Sequence, residues 1–319
     1  MKFLHVTEQQ GRYAASLRET AIPVPQPGEL LIRVAASGVN RADLSQIAGH
    51  YPPPPGEPDI LGLEVAGTDD ATGATVCALL GGGGHAEYVA APVGQVFAAP
   101  PELDPTVAAG IPEAFLTAFV NLVIEGSLAA GATALVHAGA SGVGLAAIQV
   151  AKLCGARVAA TTRTREKLPA LEAAGADLAI DAARGDFAAA ITARWGADPV
   201  DVVLDPVGQA SLAGDLRVLA PGGRIVCIAT MSGARVELDL AQLMRKRARL
   251  AGSTLRARSR AEKAALVTRF CAEILPALAS GALRVTLDSV FPPRRAADAF
   301  QRMRENRNVG KIVIAWTGR

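Results

Sequence analysis

The chain has 319 residues, of which 50% are hydrophobic, and its formal net charge at pH 7 is +2. This length predicts two domains rather than one, and so small a net charge argues against nucleic acid as a partner. The 4 cysteines are far apart in the sequence and form no C-x-x-C pair, which argues against a structural zinc and against a disulfide framework. We therefore expect a globular, cytoplasmic protein.

Two segments bear on membrane association. The N-terminal residues 1–13 carry a cation but only a very short apolar run, so no secretory signal is predicted. The uncharged stretch 126–150 contains repeated glycines and the polar residues His137, Ser141 and Gln149, which is typical of a buried strand, turn and helix. We expect no membrane partner.

The first third of the chain predicts an irregular, mostly antiparallel β domain. Short β-rich segments are separated by turns, and no helix-length periodicity joins them. These segments are residues 29–35, 61–67, 74–80 and 86–91. A loop of consecutive prolines follows Tyr51 and is stiffened toward polyproline II.

From Pro112 onward, predicted helices alternate with predicted strands. The helices cover residues 113–126, 143–154, 165–174, 187–195 and 212–219, and the strands cover residues 134–137, 157–161, 178–181, 200–205 and 223–228. This alternation implies right-handed crossovers and a doubly wound parallel sheet, so the fold class is α/β. After Thr254 we expect a helix over 260–280, a strand over 285–291, a helix over 296–304 and a strand over 311–315.

The stretch VHAGASGVGLAA, residues 136–147, lies at the first strand-to-helix junction of the alternating part. It lacks the lysine of a P-loop and the spacing of a nucleophile elbow, but it fits the dinucleotide-binding pattern G-x-G-x-x-G with a serine at the middle position. The turn comprises Gly139, Ala140, Ser141, Gly142, Val143 and Gly144. In this pattern the helix N-terminus faces a pyrophosphate, and Ser141 either hydrogen-bonds the cofactor or only caps the helix.

The end of the next strand selects between cofactors. A protein that binds NAD usually has an acidic residue there, about twenty residues past the first glycine, whereas this chain has no acid before Glu166. Hydroxyl and cationic side chains suit a 2′-phosphate, and they are Thr162, Arg163, Thr164, Arg165 and Lys167. NADPH is therefore the predicted cofactor. The alternative is that these are ordinary solvated residues at the start of a helix.

Several blocks along nearly the whole chain resemble the zinc-independent quinone oxidoreductases of the medium-chain dehydrogenase/reductase superfamily. The blocks are ASGVNRAD (36–43), GHYPPP (49–54), ILGLE (60–64), EAFLTA (113–118), HAGASGVG (137–144), GSTLR (252–256) and VGKIV (309–313). The resemblance is closest to the subfamily of the tumour-suppressor-inducible quinone oxidoreductase, with zeta-crystallin more distant. It implies a GroES-like irregular β-barrel catalytic domain over residues 1–112, a Rossmann dinucleotide-binding domain over 113–254, and a C-terminal completion of the catalytic domain over 255–319.

The resemblance also bears on whether the protein binds a metal and on which molecule accepts the hydride. Zinc alcohol dehydrogenases of this superfamily have Cys-His where this chain has Asn40-Arg41, and a histidine where it has Leu63, so no metal is expected. Such enzymes need zinc as a Lewis acid, whereas a quinone is already electron-poor and accepts a hydride without one. The activity implied is reduction of a small-molecule quinone by NADPH.

Further site residues follow from the resemblance. Asn40, Asp43, Tyr51 and Thr117 would line the nicotinamide end of the cleft. Tyr51 would orient the substrate or relay a proton, unless it only packs on the proline loop, and Ser141 would touch the cofactor. Backbone contacts to the ribose and nicotinamide are implied for the loops that contain Asp205, Val207, Ala229, Thr230, Met231, Thr254, Leu255 and Arg256, and a cofactor contact is implied for Lys311. Asp205 is alternatively the cap of a turn.

Several questions stay open at the level of sequence. Relatives usually have Asn-Tyr where this chain has Asp181-Ala182, so the arginines would hold the phosphate without that tyrosine. Three functions remain: an NADPH-dependent quinone reductase, a double-bond reductase acting on enals, enones or acyl thioesters, and a cofactor-bound binding protein with little turnover. The segment RVELDL, residues 235–240, alternates as an edge strand would and predicts a homodimer.

Overall fold

The computed structural model describes residues 1–317. The chain divides into two compact units. Unit 1 comprises Met1–Leu116 and the chain from Leu255 onward, and unit 2 comprises Thr117–Thr254. The sequence predicts the first boundary after residue 112, but in the structure it falls after Leu116, inside a helix whose first turn belongs to unit 1.

The secondary structure is as follows, in chain order. The strands are β1 (Lys2–Gln9), β2 (Arg12–Glu19), β3 (Glu29–Val39), β4 (Glu64–Asp69), β5 (Thr75–Leu79), β6 (Tyr88–Pro92), β7 (Val96–Ala98), β8 (Thr133–Val136), β9 (Arg157–Thr162), β10 (Leu178–Asp181), β11 (Val200–Asp205), β12 (Leu219–Cys227), β13 (Arg249–Gly252), β14 (Leu287–Phe291) and β15 (Lys311–Ala315). The α-helices are α1 (Arg41–Ile47), α2 (Pro105–Ala108), α3 (Pro112–Phe119), α4 (Gly142–Leu153), α5 (Leu168–Ala173), α6 (Phe187–Trp195), α7 (Leu212–Val218), α8 (Leu240–Lys246), α9 (Arg260–Glu273), α10 (Leu275–Ala279) and α11 (Ala296–Arg304). Short 3-10 helices cover Val93–Gln95, Arg165–Lys167 and Pro293–Arg295, and a π-helix, Val120–Glu125, continues α3.

Unit 1 contains a hairpin of β1 and β2 and a seven-stranded sheet in the order β14-β15-β3-β4-β5-β7, with β6 also paired to β3. Its pairs are antiparallel except for β14 with β15, which agrees with the mostly antiparallel prediction. Buried and exposed side chains alternate along part of β3, as expected for a strand with one face in the core. Ile32 and Val34 are buried, while Arg33 between them is exposed. Helix α11 covers one side of this unit with a face of apolar residues at helical spacing, which are Ala296, Ala299, Phe300 and Met303.

Unit 2 is a six-stranded parallel sheet in the order β10-β9-β8-β11-β12-β13. The order reverses between β8 and β11, and in such sheets ligands bind at the carboxyl ends of the strands near that reversal. Strand β8 is buried along its whole length, as expected for a central strand covered on both faces. The predicted α/β class and the parallel sheet are confirmed.

Some predicted elements differ in the structure. Residues 235–240 do not form a strand, because the carboxylate of Asp239 accepts a hydrogen bond from the Gln242 amide at 3.0 Å and caps α8. The edge strand is β13 instead, so the prediction of an edge strand at 235–240 is wrong. The predicted helix over 260–280 is divided into α9 and α10, because Pro276 has no N–H to continue the first helix.

The uncharged stretch 126–150 folds as predicted, into β8, a turn and most of α4. In the described part of the chain, the helical stretch Pro105–Glu125 has the length and hydropathy of a membrane span. Since 72% of that window is buried, it has the character of a core helix.

Candidate functional site

The glycine turn of unit 2 joins β8 to α4. The Gly139 amide donates to the Thr161 carbonyl at 2.7 Å, which ties the turn to β9. A Cβ at Gly144 would press against the carbonyl oxygen of Ala138 and lie 2.7 Å from the backbone of Gly139, so the helix start and the turn approach this closely only because residue 144 is glycine. The first turn of α4 is thereby presented at the carboxyl end of β8, as a bound pyrophosphate requires.

Ser141 is the N-cap of α4. Its Oγ accepts a hydrogen bond from the Gly144 amide at 3.0 Å, so the capping alternative is correct. A hydroxyl has one donor hydrogen and two acceptor lone pairs, so capping leaves the Ser141 hydrogen available to a ligand. The two interpretations of this serine are therefore compatible.

The end of β9 carries the residues predicted to select NADPH. Thr162 is buried at the last position of the strand, whereas Arg163 and Arg165 are exposed just beyond it. Within residues 1–317 neither guanidinium has a hydrogen-bond or ion-pair partner. Asp181, beside them on β10, accepts from the Ala183 amide at 3.1 Å and pairs with Arg184 at 3.6 Å. The residues of unit 2 thus fit a dinucleotide with a 2′-phosphate.

The loops after β11 and β12 close on each other. Asp205 is fully buried and accepts hydrogen bonds from the Val207 amide at 2.6 Å, the Gly208 amide at 3.1 Å and the Ser211 hydroxyl at 2.9 Å, so its side chain caps the turn. The Val207 carbonyl accepts from the Ser232 amide, and the Met231 amide donates to Pro206. The backbone amides of Val207 and Met231 already donate hydrogen bonds within the protein. The prediction that these two amides donate to a cofactor is therefore corrected.

Of the remaining residues predicted to contact the cofactor, some are exposed and others are buried. Ala229, Thr230 and Thr254 are exposed, the first two after β12 and the third after β13. Thr117 is buried on α3, and its carbonyl accepts from the Asn121 side-chain amide at 2.8 Å. Leu255, the first residue of the second part of unit 1, is buried.

In unit 1, both carboxylate oxygens of Asp43 accept hydrogen bonds from backbone amides. Its Oδ2 accepts from the Asn40 amide at 2.7 Å at the start of α1, and its Oδ1 accepts from the Gly62 amide at 3.1 Å. The residue is only 1% exposed. Asp43 thus completes the capping box of α1 and holds the loop before β4, while its predicted catalytic role stays a prediction.

Lys311 is buried and bonded to neighbours in unit 1. Its ammonium donates to the Asn40 Oδ1 at 2.7 Å, to the Val39 carbonyl at 3.2 Å and to the buried carboxylate of Glu64. These bonds use all three N–H groups of the lysine, and its predicted cofactor contact stays a prediction. The Asn40 side-chain amide in turn donates to Glu64 at 2.9 Å, which commits Asn40 to the same cluster.

The side chain of Arg256 forms three hydrogen bonds within unit 1. Its guanidinium donates to the Gly81 carbonyl at 2.7 Å, the Tyr51 carbonyl at 3.1 Å and the Gln46 Oε1 at 2.8 Å, and its central carbon lies 5.3 Å from the centre of the Tyr51 ring. The Arg256 side chain thus holds Tyr51 in position, and the predicted backbone contact of Arg256 with the cofactor stays a prediction. The Tyr51 phenol has no hydrogen-bond partner within residues 1–317, so it is available to a ligand. Burial and the nearby Glu113 raise the pKa of Tyr51, which keeps the phenol protonated as a donor.

Comparison with known proteins agrees with this geometry. Residues 26–101 match the alcohol dehydrogenase GroES-like domain and residues 142–271 match the zinc-binding dehydrogenase family. The quinone oxidoreductase of Lama guanicoe is 30% identical over 98% of this chain and 97% of its own length. The pikromycin polyketide synthase component PikAII of Streptomyces venezuelae is 33% identical over 93% of this chain, which corresponds to 8% of that protein. The structure of the quinone oxidoreductase of Thermus thermophilus, solved also with NADPH, has 33% identity and a TM-score of 0.84, covering 99% of this chain and 100% of that one.

The chain belongs to the quinone oxidoreductase family of medium-chain dehydrogenases/reductases. As a member of this family it is an oxidoreductase, with a GroES-like unit 1 and a Rossmann-type unit 2.

The positions that hold zinc in metal-dependent relatives of this quinone oxidoreductase family do not fit the metal here. Leu63 is apolar and 1% exposed, Asn40 is bonded to Lys311, and the Arg41 guanidinium donates to the Met303 carbonyl and the Asn306 side chain. Within residues 1–317 no group of three or more His, Cys, Asp or Glu side chains could hold a metal ion.

Two residues of this family member were not predicted from the sequence as site residues. Glu113, in the first turn of α3, has a pKa raised to about 8 by burial first and by the nearby Glu64 carboxylate second. Lys263, on α9, is 2% exposed, and burial lowers its pKa. Glu113 lies in the EAFLTA block, but a charged residue at the start of a helix is ordinary, and nothing in the sequence distinguishes Lys263 from other surface lysines.

Proposed function

We propose that this protein is a zinc-independent, NADPH-dependent quinone reductase. The observation that carries the proposal is the hydrogen bond between Lys311 and Asn40 beside the buried Leu63, at the positions where metal-dependent relatives hold zinc. Without a Lewis acid, the enzyme needs an acceptor whose reduced form is stable as an oxyanion. A quinone satisfies this requirement, and relatives of similar length are quinone oxidoreductases.

NADPH as the cofactor is supported by unit 2. Gly139, Ser141 and Gly144 form the turn for the pyrophosphate, and Arg163 and Arg165 are the cations for the 2′-phosphate. The bound cofactor would supply the hydride. The relative from Thermus thermophilus has been solved with NADPH, which agrees with this choice.

The acceptor is assigned to unit 1. Tyr51 would donate a hydrogen bond to the acceptor oxygen, because its phenol has no internal partner and stays protonated. Arg256 would hold the Tyr51 backbone and ring in place during turnover. Negative charge that develops on the acceptor oxygen is stabilised by a donor already fixed in position.

The test is NADPH oxidation with 1,4-benzoquinones and naphthoquinones in the presence of a chelator. Tyr51→Phe should lower kcat/KM for the quinone about 5-fold, the value of one hydrogen bond of about 1 kcal/mol. Tyr13→Phe is the matched control, because Tyr13 packs on Phe300 and not in this region. No quinone turnover by the unmodified protein would contradict the proposal.

A double-bond reductase is the second candidate, and the similarity to a polyketide synthase component favours it. It would use the same cofactor residues, so the assay also includes enones, enals and an enoyl thioester. Higher kcat/KM for these compounds than for every quinone would select this candidate. Little turnover on any of them would instead favour the binding-protein alternative. The cytoplasmic location stays a prediction.

A further inference from the structure

The alanine at the start of the glycine turn of unit 2 has a strained backbone. Ala138 has a φ of 50°, a left-handed conformation that glycine adopts readily and that costs alanine free energy because of its Cβ. Its carbonyl accepts a hydrogen bond from the Ser141 amide at 2.9 Å and packs closely against Gly144. The conformation of Ala138 therefore sets where the first turn of α4 begins. Such strain persists only where neighbouring contacts impose it.

The neighbours of Ala138 on both sides are bonded to one residue of β9. The Thr161 carbonyl accepts from the Gly139 amide at 2.7 Å, and the Thr161 hydroxyl is hydrogen-bonded to the His137 Nδ1 at 2.9 Å. The His137 amide also donates to the Leu204 carbonyl at 3.1 Å. Ala138 is thus held between two anchored residues. The anchor on its N-terminal side depends on a side chain, that of His137, which a substitution can remove.

The imidazole of His137 is also fixed from the side of α7. Its Nε2 lies 2.7 Å from the Asp215 Oδ1, and both residues are buried. In the described part of the chain the other oxygen of Asp215, Oδ2, is buried without a partner, so His137 is the residue that this carboxylate depends on. Phe187 on α6 packs against the imidazole in a T-shaped arrangement, with ring centres 4.9 Å apart. Burial alone would lower the pKa of His137, but the carboxylates of Asp215 and Asp205 outweigh burial and raise it, which favours an imidazolium that donates from both nitrogens.

We propose that His137 is a positioning residue that keeps Ala138 in its left-handed conformation and so holds the glycine turn ready for the pyrophosphate before the cofactor binds. The inference rests on the proposed function, because it assumes that this turn receives NADPH. If the imidazole is removed, only a fraction of the molecules keeps the turn formed, and the apparent affinity for a ligand falls by that fraction. NADPH and NADH share the pyrophosphate, so both should lose affinity by the same factor.

The first test measures the Kd of NADPH and of NADH by titration of the purified protein. Glutamine retains an N–H that can reach Asp215 but has no group for Thr161, so His137→Gln should raise both Kd values about 10-fold. Adding Ala138→Gly should lower both values again by about 3-fold, because glycine adopts the left-handed conformation without a Cβ. Adding Arg247→Gly instead is the matched control. Arg247 is the exposed left-handed C-cap of α8, with a φ of 48°, so this substitution should leave the Kd values of His137→Gln unchanged.

A second measurement needs no cofactor. Amide hydrogen exchange, followed by NMR, reports on the Gly139 and Ser141 amides, whose hydrogen bonds close the turn. His137→Gln should speed exchange of these two amides about 10-fold, and Ala138→Gly in the same chain should slow it again. The Gly196 amide, which donates to a carbonyl of α6 at 2.9 Å, should keep its rate in every variant.

The outcomes separate this inference from the proposed function. No recovery of affinity on adding Ala138→Gly, equal recovery on adding Arg247→Gly, or uniformly faster exchange throughout unit 2 would overturn the role of His137 while leaving NADPH binding intact. If the unmodified protein binds neither NADPH nor NADH, the proposed function fails, and the exchange rates still decide the role of His137. If His137→Gln does not fold, Thr161→Val removes the same hydrogen bond from its other end and takes its place in both measurements.

Discussion

The ammonium of Lys311 donates a hydrogen bond to the side-chain oxygen of Asn40 at 2.7 Å. Both residues also bond to the buried carboxylate of Glu64, so a lysine charge occupies the region that a divalent cation would need. A cation there would be repelled by the lysine and would find an amide in place of a thiolate.

We therefore expect the purified protein to contain no stoichiometric zinc. Elemental analysis should give well under one zinc per chain, and activity should be unchanged after dialysis against a chelator. One zinc per chain, lost together with activity on chelation, would contradict this prediction.

The second prediction concerns the 2′-phosphate. Replacing Arg163 and Arg165 together by alanine should raise the KM for NADPH on the order of tens of fold and leave that for NADH nearly unchanged. Each guanidinium hydrogen bond to a phosphate contributes about 1.5–3 kcal/mol, and the exposure of both arginines reduces this value. Arg194→Ala is the control, because Arg194 is an exposed arginine of the same unit on α6. Equal losses for both cofactors would mean that the arginines support the fold.

Gly144→Ala should impair the turn itself. The added Cβ would meet backbone atoms of Ala138 and Gly139, which cannot move aside as a flexible side chain can. We expect a loss of about 1–3 kcal/mol in the free energy of unfolding, together with weaker binding of NADPH and NADH alike. Gly185→Ala is the matched control, because a Cβ at Gly185 meets nothing within 4 Å. Equal effects of the two substitutions, in urea unfolding and in cofactor titration, would refute the close-packing argument.

A homodimer is still expected, but through a different part of unit 2 from the one that the sequence suggests. Strand β13 lies at the edge of the sheet, and large apolar side chains near it in the sequence are exposed, among them Leu240 at 62% and Met244 at 74%. Leu240→Glu combined with Met244→Glu should reduce the mass in light scattering at micromolar concentration to that of one chain, 32.7 kDa. Leu17→Glu, at an exposed apolar position of unit 1, should leave the dimer intact. A monomeric unmodified protein would rule the prediction out.

Glu113 should make stability depend on pH. Its pKa is about 8 in the folded protein and 4.5 for the ordinary group, so the folded state holds the proton that the unfolded state has lost. The stabilisation is fully present below pH 4.5 and is lost as the pH rises through 8. Urea unfolding should therefore give a difference between Glu113→Gln and the unmodified protein that grows in favour of the variant from about pH 5 to about pH 8. Parallel stability curves would show that the carboxyl is not perturbed.

Much of unit 2 could be predicted from local sequence. The bounds of β10, β11 and α6 agree with the prediction, because short apolar strands alternate there with a helix that begins after the cap Asp186 and ends before Gly196. In α11 the four buried residues are spaced at intervals of three and four, which is also a local signal.

The site in unit 1 could not be predicted in this way. Asn40 and Asp43 are spaced as a helix cap, yet the family resemblance placed them beside the nicotinamide. The partners that decide their role are distant in the chain, since Lys311 is 271 positions from Asn40 and 247 from Glu64. The hydrogen bonds of these side chains and the raised pKa of Glu113 depend on tertiary contacts that no local pattern encodes.

The division of unit 1 into two parts of the sequence has a consequence for the order in which the protein folds during its synthesis. All six strands of unit 2 have been made before β14 and β15 leave the ribosome, whereas β3 lacks its neighbour β15 until the last of these strands emerges. Until then Glu64 has no Lys311 to neutralise it, and residues 36–39 of β3, which pair with β15, present an open edge. The nascent chain therefore completes its cofactor-binding half first, and the half that carries Tyr51 becomes competent only after β15 has emerged.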